Sequence, residues 1–241
     1  MIKGRTEGEL FSDVENYAVK EFTAEVTPVT PAYATTRFST IQIMHTAKGL
    51  ISVEGPTLSE KINSLGIDDG MKAFRPAWRQ KEALVEIAGL EDGWVVTACR
   101  GEAIIGYITF HPPGEFERWG RAGIRELLEL GAIEVAPGYR NIRLGREMMK
   151  VAFADPMMEN YVVISTEYYW HWDLDGTGLN VWEYQAVMTR LMESAGMVKR
   201  DTDEQEISAH PANMLMVRVG NKVSPEAVAG FERLLFRKKE G

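Results

Sequence analysis

Two apolar runs, residues 94–99 and 103–110, are joined by Arg100-Gly101-Glu102 alone. A parallel crossover needs about a dozen residues or more, so these runs can only pair antiparallel, as a hairpin. The rest of the chain alternates strand and helix signals around that hairpin. Such a chain cannot form a purely parallel sheet; it predicts an α/β fold of the mixed (α+β) kind.

The remaining elements follow from periodicity and punctuation. Residues 49–54 read as a strand. Residues 77–88 carry Leu84, Ile87 and Ala88 at helical spacing, with Gly89 as the stop. Residues 124–129 read as a short helix, and 131–135 as a strand stopped by Pro137. Residues 144–152 place Leu144, Met148, Val151 and Ala152 on one helix face. Residues 161–166 form a buried-strand run. Residues 181–195 form a helix closed by Gly196, and 213–219 another strand. Ser224-Pro225 caps a last helix that runs through Phe236. Residues 1–46 differ: Thr27-Pro28-Val29-Thr30-Pro31 breaks any regular element, and a short helix near 9–20 is the one signal there. They read as an extension ahead of a domain spanning 47–241.

Composition narrows the function classes. The chain of 241 residues has one cysteine, Cys99, and four histidines, so neither an intramolecular disulfide nor a cysteine-rich zinc site can form. A formal net charge of −8 disfavours nucleic acid and suits a cationic partner. No apolar run reaches the roughly 20 residues of a membrane span, and the start lacks a secretory pattern, so the expectation is a cytoplasmic protein off the membrane. There is no internal repeat, no Gly-x-Ser-x-Gly and no phosphate-binding Gly-Lys-Ser/Thr loop. Cys99 reads as a small buried apolar residue. Asp173-Leu174-Asp175-Gly176-Thr177-Gly178 lacks the acidic spacing of a calcium loop and reads as a turn. Residues 201–206 read as a solvated acidic loop. No metal is expected, and the oligomeric state is left open, a homo-oligomer included.

The informative stretch is Gly131-Ala-Ile-Glu-Val-Ala-Pro-Gly-Tyr-Arg140-Asn-Ile-Arg-Leu-Gly145-Arg146. It is a strand, a turn and a basic loop that opens an amphipathic helix. The first amides of a helix lack intrachain acceptors and point outward together. Arg140, Arg143 and Arg146 add cationic side chains, so a diphosphate meets amides and charge at one place.

This loop resembles the coenzyme A pyrophosphate loop of the GNAT acetyltransferases, whose pattern is Gln/Arg-x-x-Gly-x-Gly/Ala. The middle glycine is replaced by Arg143, which asks for a backbone conformation that glycine does not need. Further segments sharpen the likeness: Ala73-Phe74-Arg75-Pro76, Glu117-Arg118-Trp119, residues 82–90 and 129–137, Thr166-Glu167-Tyr168-Tyr169-Trp170-His171-Trp172-Asp173-Leu174, and Ser208-x-His210-Pro211-Ala212-Asn213. Together, over roughly residues 48–236, they resemble the acetoin-utilization acetyltransferase branch of that family. The resemblance implies the GNAT fold and an acyltransferase. It implies acetyl-CoA as co-substrate, and transfer to a lysine of acetyl-CoA synthetase, which switches that enzyme off. It also implies that residues 140–146 (Arg140, Asn141, Ile142, Arg143, Leu144, Gly145, Arg146) hold the pyrophosphate, and that the amides of Ile133 and Val135 hold the acetyl carbonyl and pantetheine.

A lysine amine, with a pKa near about 10.4, must lose a proton before it attacks a thioester, which calls for a general base. Glu134, inside an apolar strand beside the expected thioester, is the first candidate. Glu167, at the end of the next strand, is the rival, and each also has a plain reading as an ion-pair partner. Glu129 comes third, as a helix-end surface charge. By the resemblance a tyrosine acid falls four residues before the helix-ending glycine, where this chain has Met192. Tyr184, on the same face, and Tyr168 or Tyr169 are the substitutes, and a thiolate leaving group can also do without one. In the aromatic run, alternate residues of a strand point to opposite faces. Tyr168, Trp170, Trp172 and Asp173 are therefore candidates for the substrate wall, with aromatic core packing as the competing reading; His171 reads as a structural hydrogen-bonder. Two other functions stay open: acetylation of a small amine, and a non-catalytic acetyl-CoA-binding regulator.

Overall fold

The structure, a computed structural model, describes residues 39–237. The short helix expected near 9–20 lies outside them. A hairpin of β1 (Thr40–Thr46) and β2 (Gly49–Gly55) leads into α1 (Ser59–Ser64), the two-residue β3 (Gly66–Ile67) and α2 (Ala77–Gly89). The hairpin β4 (Trp94–Arg100) and β5 (Ala103–His111) follows, then β6 (Leu127–Val135), α3 (Leu144–Ala152) and β7 (Val162–Glu167). The chain closes with the one-turn α4 (Leu174–Thr177), α5 (Val181–Glu193), β8 (Val198–Arg200), the one-turn α6 (Gln205–Ser208), β9 (Met214–Val219) and α7 (Pro225–Leu235). The strands form one sheet in the order β1-β2-β4-β5-β6-β7-β9-β8, with β3 beside β5. β6 and β7 are parallel, and the other neighbours along that path are antiparallel. This is the mixed sheet that the hairpin demanded.

Three local expectations are corrected. Thr40–Thr46, grouped with the extension, is the edge strand β1, paired with β2 along its whole length. It alternates strictly, but Ile41 and Ile43 take the outward positions, at 57% and 52% exposure, so its pattern does not mark a core face. Residues 124–129 do not form a helix; β6 already begins at Leu127. Leu127, Leu128 and Leu130 are buried on both faces of the sheet, and such a strand loses its period of two. The aromatic run is not a strand either, because Tyr169–His171 forms a 3₁₀ turn.

Two layers of helix cover the sheet. Ile108 and Phe110 face α3, where a Cβ at Gly106 would meet Met148 and where Phe110 meets Phe153 edge-on at 5.7 Å. Val163, Met214 and Met216 continue that face onto Met188 and Met192 of α5. On the opposite face, Leu127, Val162, Ile164, Leu215 and Val217 pack against Phe231 and Leu235 of α7. Thr109 and His111 of β5 look toward Gln80 and Ala83 of α2 on that same side.

Candidate active site

The site begins where the sheet opens. β6 and β7 are paired over Leu127–Glu129 and Val162–Ile164, and beyond Glu129 no pairing joins them. On its other side, β6 carries a bulge: Thr109 and Phe110 of β5 oppose Ala132 and Leu130, leaving Gly131 as the extra residue. The Ala136 N–H donates to the Ile105 carbonyl of β5 at 2.9 Å. Alternation along a strand then turns the amides of Val135 and Ile133 away from β5, into the gap. The Val135 carbonyl points the same way and accepts from Arg140 Nε at 3.3 Å.

The loop from Arg140 to Arg146 closes one end of the gap. The first helical bond of α3 runs from Glu147 N–H to Arg143 C=O, so the amides of Leu144, Gly145 and Arg146 have no acceptor within the helix. Asn141 and Arg143 both have positive φ, 65° and 63°. Arg143 thus adopts the left-handed conformation that a glycine at this position would take at no steric cost. Arg143, Arg146, Glu147 and Lys150 line an open cleft of about 300 Å³ with Ser194 at the end of α5. The residues present fit a diphosphate: oriented amides, three cations and one carboxylate. Ile142 and Leu144 pack into the core instead, Leu144 being fully buried.

The carboxyls predicted for proton transfer lie on opposite faces. Glu134 lies on the α2 face, is buried, and has both oxygens engaged. Oε2 accepts from the Tyr107 hydroxyl at 2.7 Å and Oε1 from the Ala73 N–H at 2.9 Å. Burial, then the adjoining Glu134 carboxylate, pushes the Tyr107 phenol well above its ordinary range. Glu134 thereby ties the loop before α2 onto β6. Glu167 lies on the α5 face, where Oε1 accepts from Ser165 at 3.0 Å and Oε2 from Trp172 Nε1 at 3.2 Å. Burial raises its pKa, and those two hydrogen bonds partly offset it.

Glu129 is not a helix-end surface charge. It is the last paired residue before the gap, 8% exposed, and accepts from the Thr166 hydroxyl at 2.9 Å. Burial, aided by the Glu167 carboxylate, pushes it up to about 7.

The aromatic turn divides the predicted substrate residues. Tyr168 and Trp170 stack at 4.9 Å, and His171 meets Phe74 edge-on at 6.4 Å, so the turn and the loop before α2 meet. Trp172 and Asp173 turn instead toward α5 and the basic loop. Trp172 stacks on Tyr184 of α5 at 5.2 Å, and Asp173 forms an ion pair with Arg140 at 2.7 Å. That pair holds the Asp173 carboxyl below its usual range. Burial raises the Tyr184 phenol, which therefore stays protonated.

Sequence reasoning missed two residues, Gln80 and His111. With Phe74, Arg75, Thr109 and Gly131 they line a cavity of about 110 Å³ at the bulge. The polar positions Tyr107, Thr109 and His111 recur every second residue in an apolar strand, which marks a functional face. No local pattern marks Gln80, whose burial comes from α2 packing on the sheet.

Comparison with known proteins identifies the family. Residues 67–169 match the acetyltransferase (GNAT) family. The acetoin utilization protein AcuA of Bacillus licheniformis is 45% identical over 196 residues, covering 81% of this chain and 93% of that protein. AcuA of Bacillus subtilis is 47% identical over 191 residues, covering 79% and 91%. The crystal structure of an acetoin utilization protein from Exiguobacterium sibiricum superposes with a TM-score of 0.83 at 43% identity, covering 85% of this chain and 97% of that one. No helix among the described residues is long and apolar enough to cross a membrane. With a strand pair that parts beside a basic helix start, and with these relatives along four-fifths of its length, the chain belongs to the GNAT family and is an acetyltransferase of the acetoin-utilization branch.

Proposed function

We propose that this acetyltransferase moves the acetyl group of acetyl-CoA to a lysine of a protein, acetyl-CoA synthetase, and thereby inactivates it in the control of acetoin and acetate metabolism. The observation that carries the protein-lysine reading is the size of the acceptor-side cavity. At about 110 Å³ it falls below the roughly 300–1,000 Å³ of small-molecule sites and suits a single side chain. Exposed Trp170, 42% accessible, and Phe74, 38%, offer a partner protein apolar contact nearby. The relatives' place in acetoin utilization supports the choice of target.

In this reading Arg140, Arg143, Arg146 and the first amides of α3 hold the diphosphate, with Asn141 shaping the loop and Gly145 leaving room for it. The Val135 amide holds the pantetheine arm, and the Ile133 amide donates to the oxygen of the reacting carbonyl. Glu129 takes the proton of the lysine ammonium, since a carboxyl near 7 is divided between its two forms at neutral pH. The amine nitrogen bonds to the thioester carbon, the carbon–sulfur bond breaks, and the second proton of the amine passes to the departing sulfur, so that the products are the acetyl-lysine amide and coenzyme A thiol. Glu134 and Glu167, each with both oxygens engaged, position the acceptor loop and Trp172. Tyr184 supports Trp172 and is placed to donate its proton on the cofactor side.

The test is incubation with acetyl-CoA and purified acetyl-CoA synthetase, followed by mass spectrometry and synthetase assay. One dominant acetyl-lysine with loss of synthetase activity is expected. Acetylation of free amines alone would replace the protein target with a small one. Acetyl-CoA binding without transfer would make the chain a regulator.

A further inference from the structure

The cavity at the bulge holds more information than its size. Gln80 is 4% exposed, and its Oε1 has no hydrogen-bond donor in the structure. A buried carbonyl oxygen without a donor is uncommon and costly, so it marks a place where a donor is expected to arrive. His111 lines the same cavity. Its Nδ1 lies 2.9 Å from the Pro112 carbonyl and so carries the ring hydrogen, which leaves the lone pair of the neutral ring on Nε2. That Nε2 faces the bulge, because a Cβ added to Gly131 would fall 2.2 Å from it. Two hydrogen-bond acceptors thus line one small cavity beside the strand whose Ile133 and Val135 amides face the gap.

We infer that Gln80 Oε1 and His111 Nε2 receive the attacking nitrogen, and that this pair makes the enzyme select primary amines over hydroxyl acceptors. A neutral primary amine has two N–H groups. It satisfies both acceptors and keeps its lone pair for the thioester carbon. A hydroxyl has one hydrogen and leaves one of the two acceptors bare, at the greater cost when that acceptor is the buried Gln80 Oε1. The loss expected from one unpaired buried acceptor is about ten- to hundredfold in kcat/KM. The neighbours fit this order of events. Glu129 is the cross-strand partner of His111 and stands ready to take the proton before the amine settles. The Arg75 guanidinium, exposed at the rim, disfavours a cation in the cavity and favours the amine that has already lost its proton.

The inference rests on the acetyl-transfer reading and adds the residues that hold the nucleophile. The test compares wild type, Gln80→Met and His111→Phe with acetyl-CoA as donor. The acceptors are acetyl-CoA synthetase, Nα-acetyl-lysine methylamide and the matching hydroxyl analogue. Gln80→Met should lower kcat/KM for both amines at least tenfold and shrink the preference for amine over hydroxyl. Acetyl-CoA affinity by calorimetry should not change. Wild-type amine kinetics with an unaltered amine-to-hydroxyl ratio in Gln80→Met would overturn the inference, even if His111→Phe fails to fold. Should wild type acetylate the small amine and not the synthetase, the protein target fails while the pair is still tested. Should it acetylate neither, n-butylamine added to ¹⁵N-histidine-labelled protein decides: a shift of the His111 Nε2 resonance in wild type, absent in Gln80→Met, supports the pair, and no shift refutes it.

Discussion

Replacing Glu129 by Gln should make the protein more stable and nearly inactive at once. Glu129 is 8% exposed and pushed from an ordinary 4.5 up to about 7, chiefly by burial. A carboxyl whose folded-state pKa is raised stabilises the fold while protonated. That stability is fully present below about pH 4.5 and is lost as pH rises through about 7. Above that, ionised Glu129 costs the fold about 3 kcal/mol at 1.36 kcal/mol per pKa step. Glu129→Gln keeps the shape and a partner for Thr166 but cannot ionise. Thermal melts should coincide with wild type at pH 4 and rise above it at pH 8. At about 2–4 °C per kcal/mol for a domain this size, the gain at pH 8 is about 6–12 °C. Wild-type kcat/KM should climb with an apparent pKa near 7, a value belonging jointly to Glu129 and the carboxyls of Glu117 and Glu167 that it senses. The variant should lose that limb and about 10²–10⁴ in turnover. A variant with wild-type turnover and the same acid limb would remove Glu129 from the mechanism. Equal melting shifts at pH 4 and pH 8 would refute the burial argument itself.

Arg143→Gly relieves a left-handed residue at φ 63° and should raise the melting temperature by about 2–4 °C, while loss of the cation weakens acetyl-CoA binding most at low salt; an unchanged or lower melt would contradict the strain. Arg140→Ala should weaken acetyl-CoA binding about ten- to hundredfold in calorimetry, and unchanged affinity would argue against the loop as diphosphate site. Asp173→Asn removes the ion pair with Arg140 and should cost about 0.5–1 kcal/mol at pH 7. That carboxyl is held below its usual range, so its contribution is present above about pH 4 and is lost as pH falls through the lowered folded-state value; melts of variant and wild type should converge towards the acid end. Glu134→Gln should loosen the Ala73 loop, cost about 1–2 kcal/mol in denaturant melts and raise KM for the acceptor. An altered pH profile of kcat in that variant would instead make Glu134 a proton carrier.

Local chemistry made much of this protein legible in one dimension. The three-residue link between 94–99 and 103–110 required an antiparallel pair. Amphipathic periodicity placed α2, α3, α5 and α7, and Ser224-Pro225 marked the start of the last of them. The basic loop after Pro137 stood out as a candidate anion site because a helix start and its arginines are contiguous in the chain. Burial defeated the same reading wherever the period vanished. β6 is apolar on both faces at Leu127, Leu128 and Leu130, so its first turn resembled a helix. β1 escaped notice because its apolar Ile41 and Ile43 face outward, where none of the described residues covers them.

What local pattern could not decide was which face each carboxylate takes and what it meets there. Glu134 sits one residue from Ile133, yet its carboxylate lies on the α2 face, bonded to Tyr107 and Ala73 from 27 and 61 residues away. The bulge at Gly131 shifts the alternation of β6 by one, which places Glu129 on that same face. Gln80 joins His111 because α2 lies across β5 there. Residue type and short-range spacing define the elements and the anion loop, since those depend on neighbours in the chain. The groups proposed for proton transfer and for the acceptor depend on strand register and on desolvation by distant segments, and these exist only once the sheet is closed and covered.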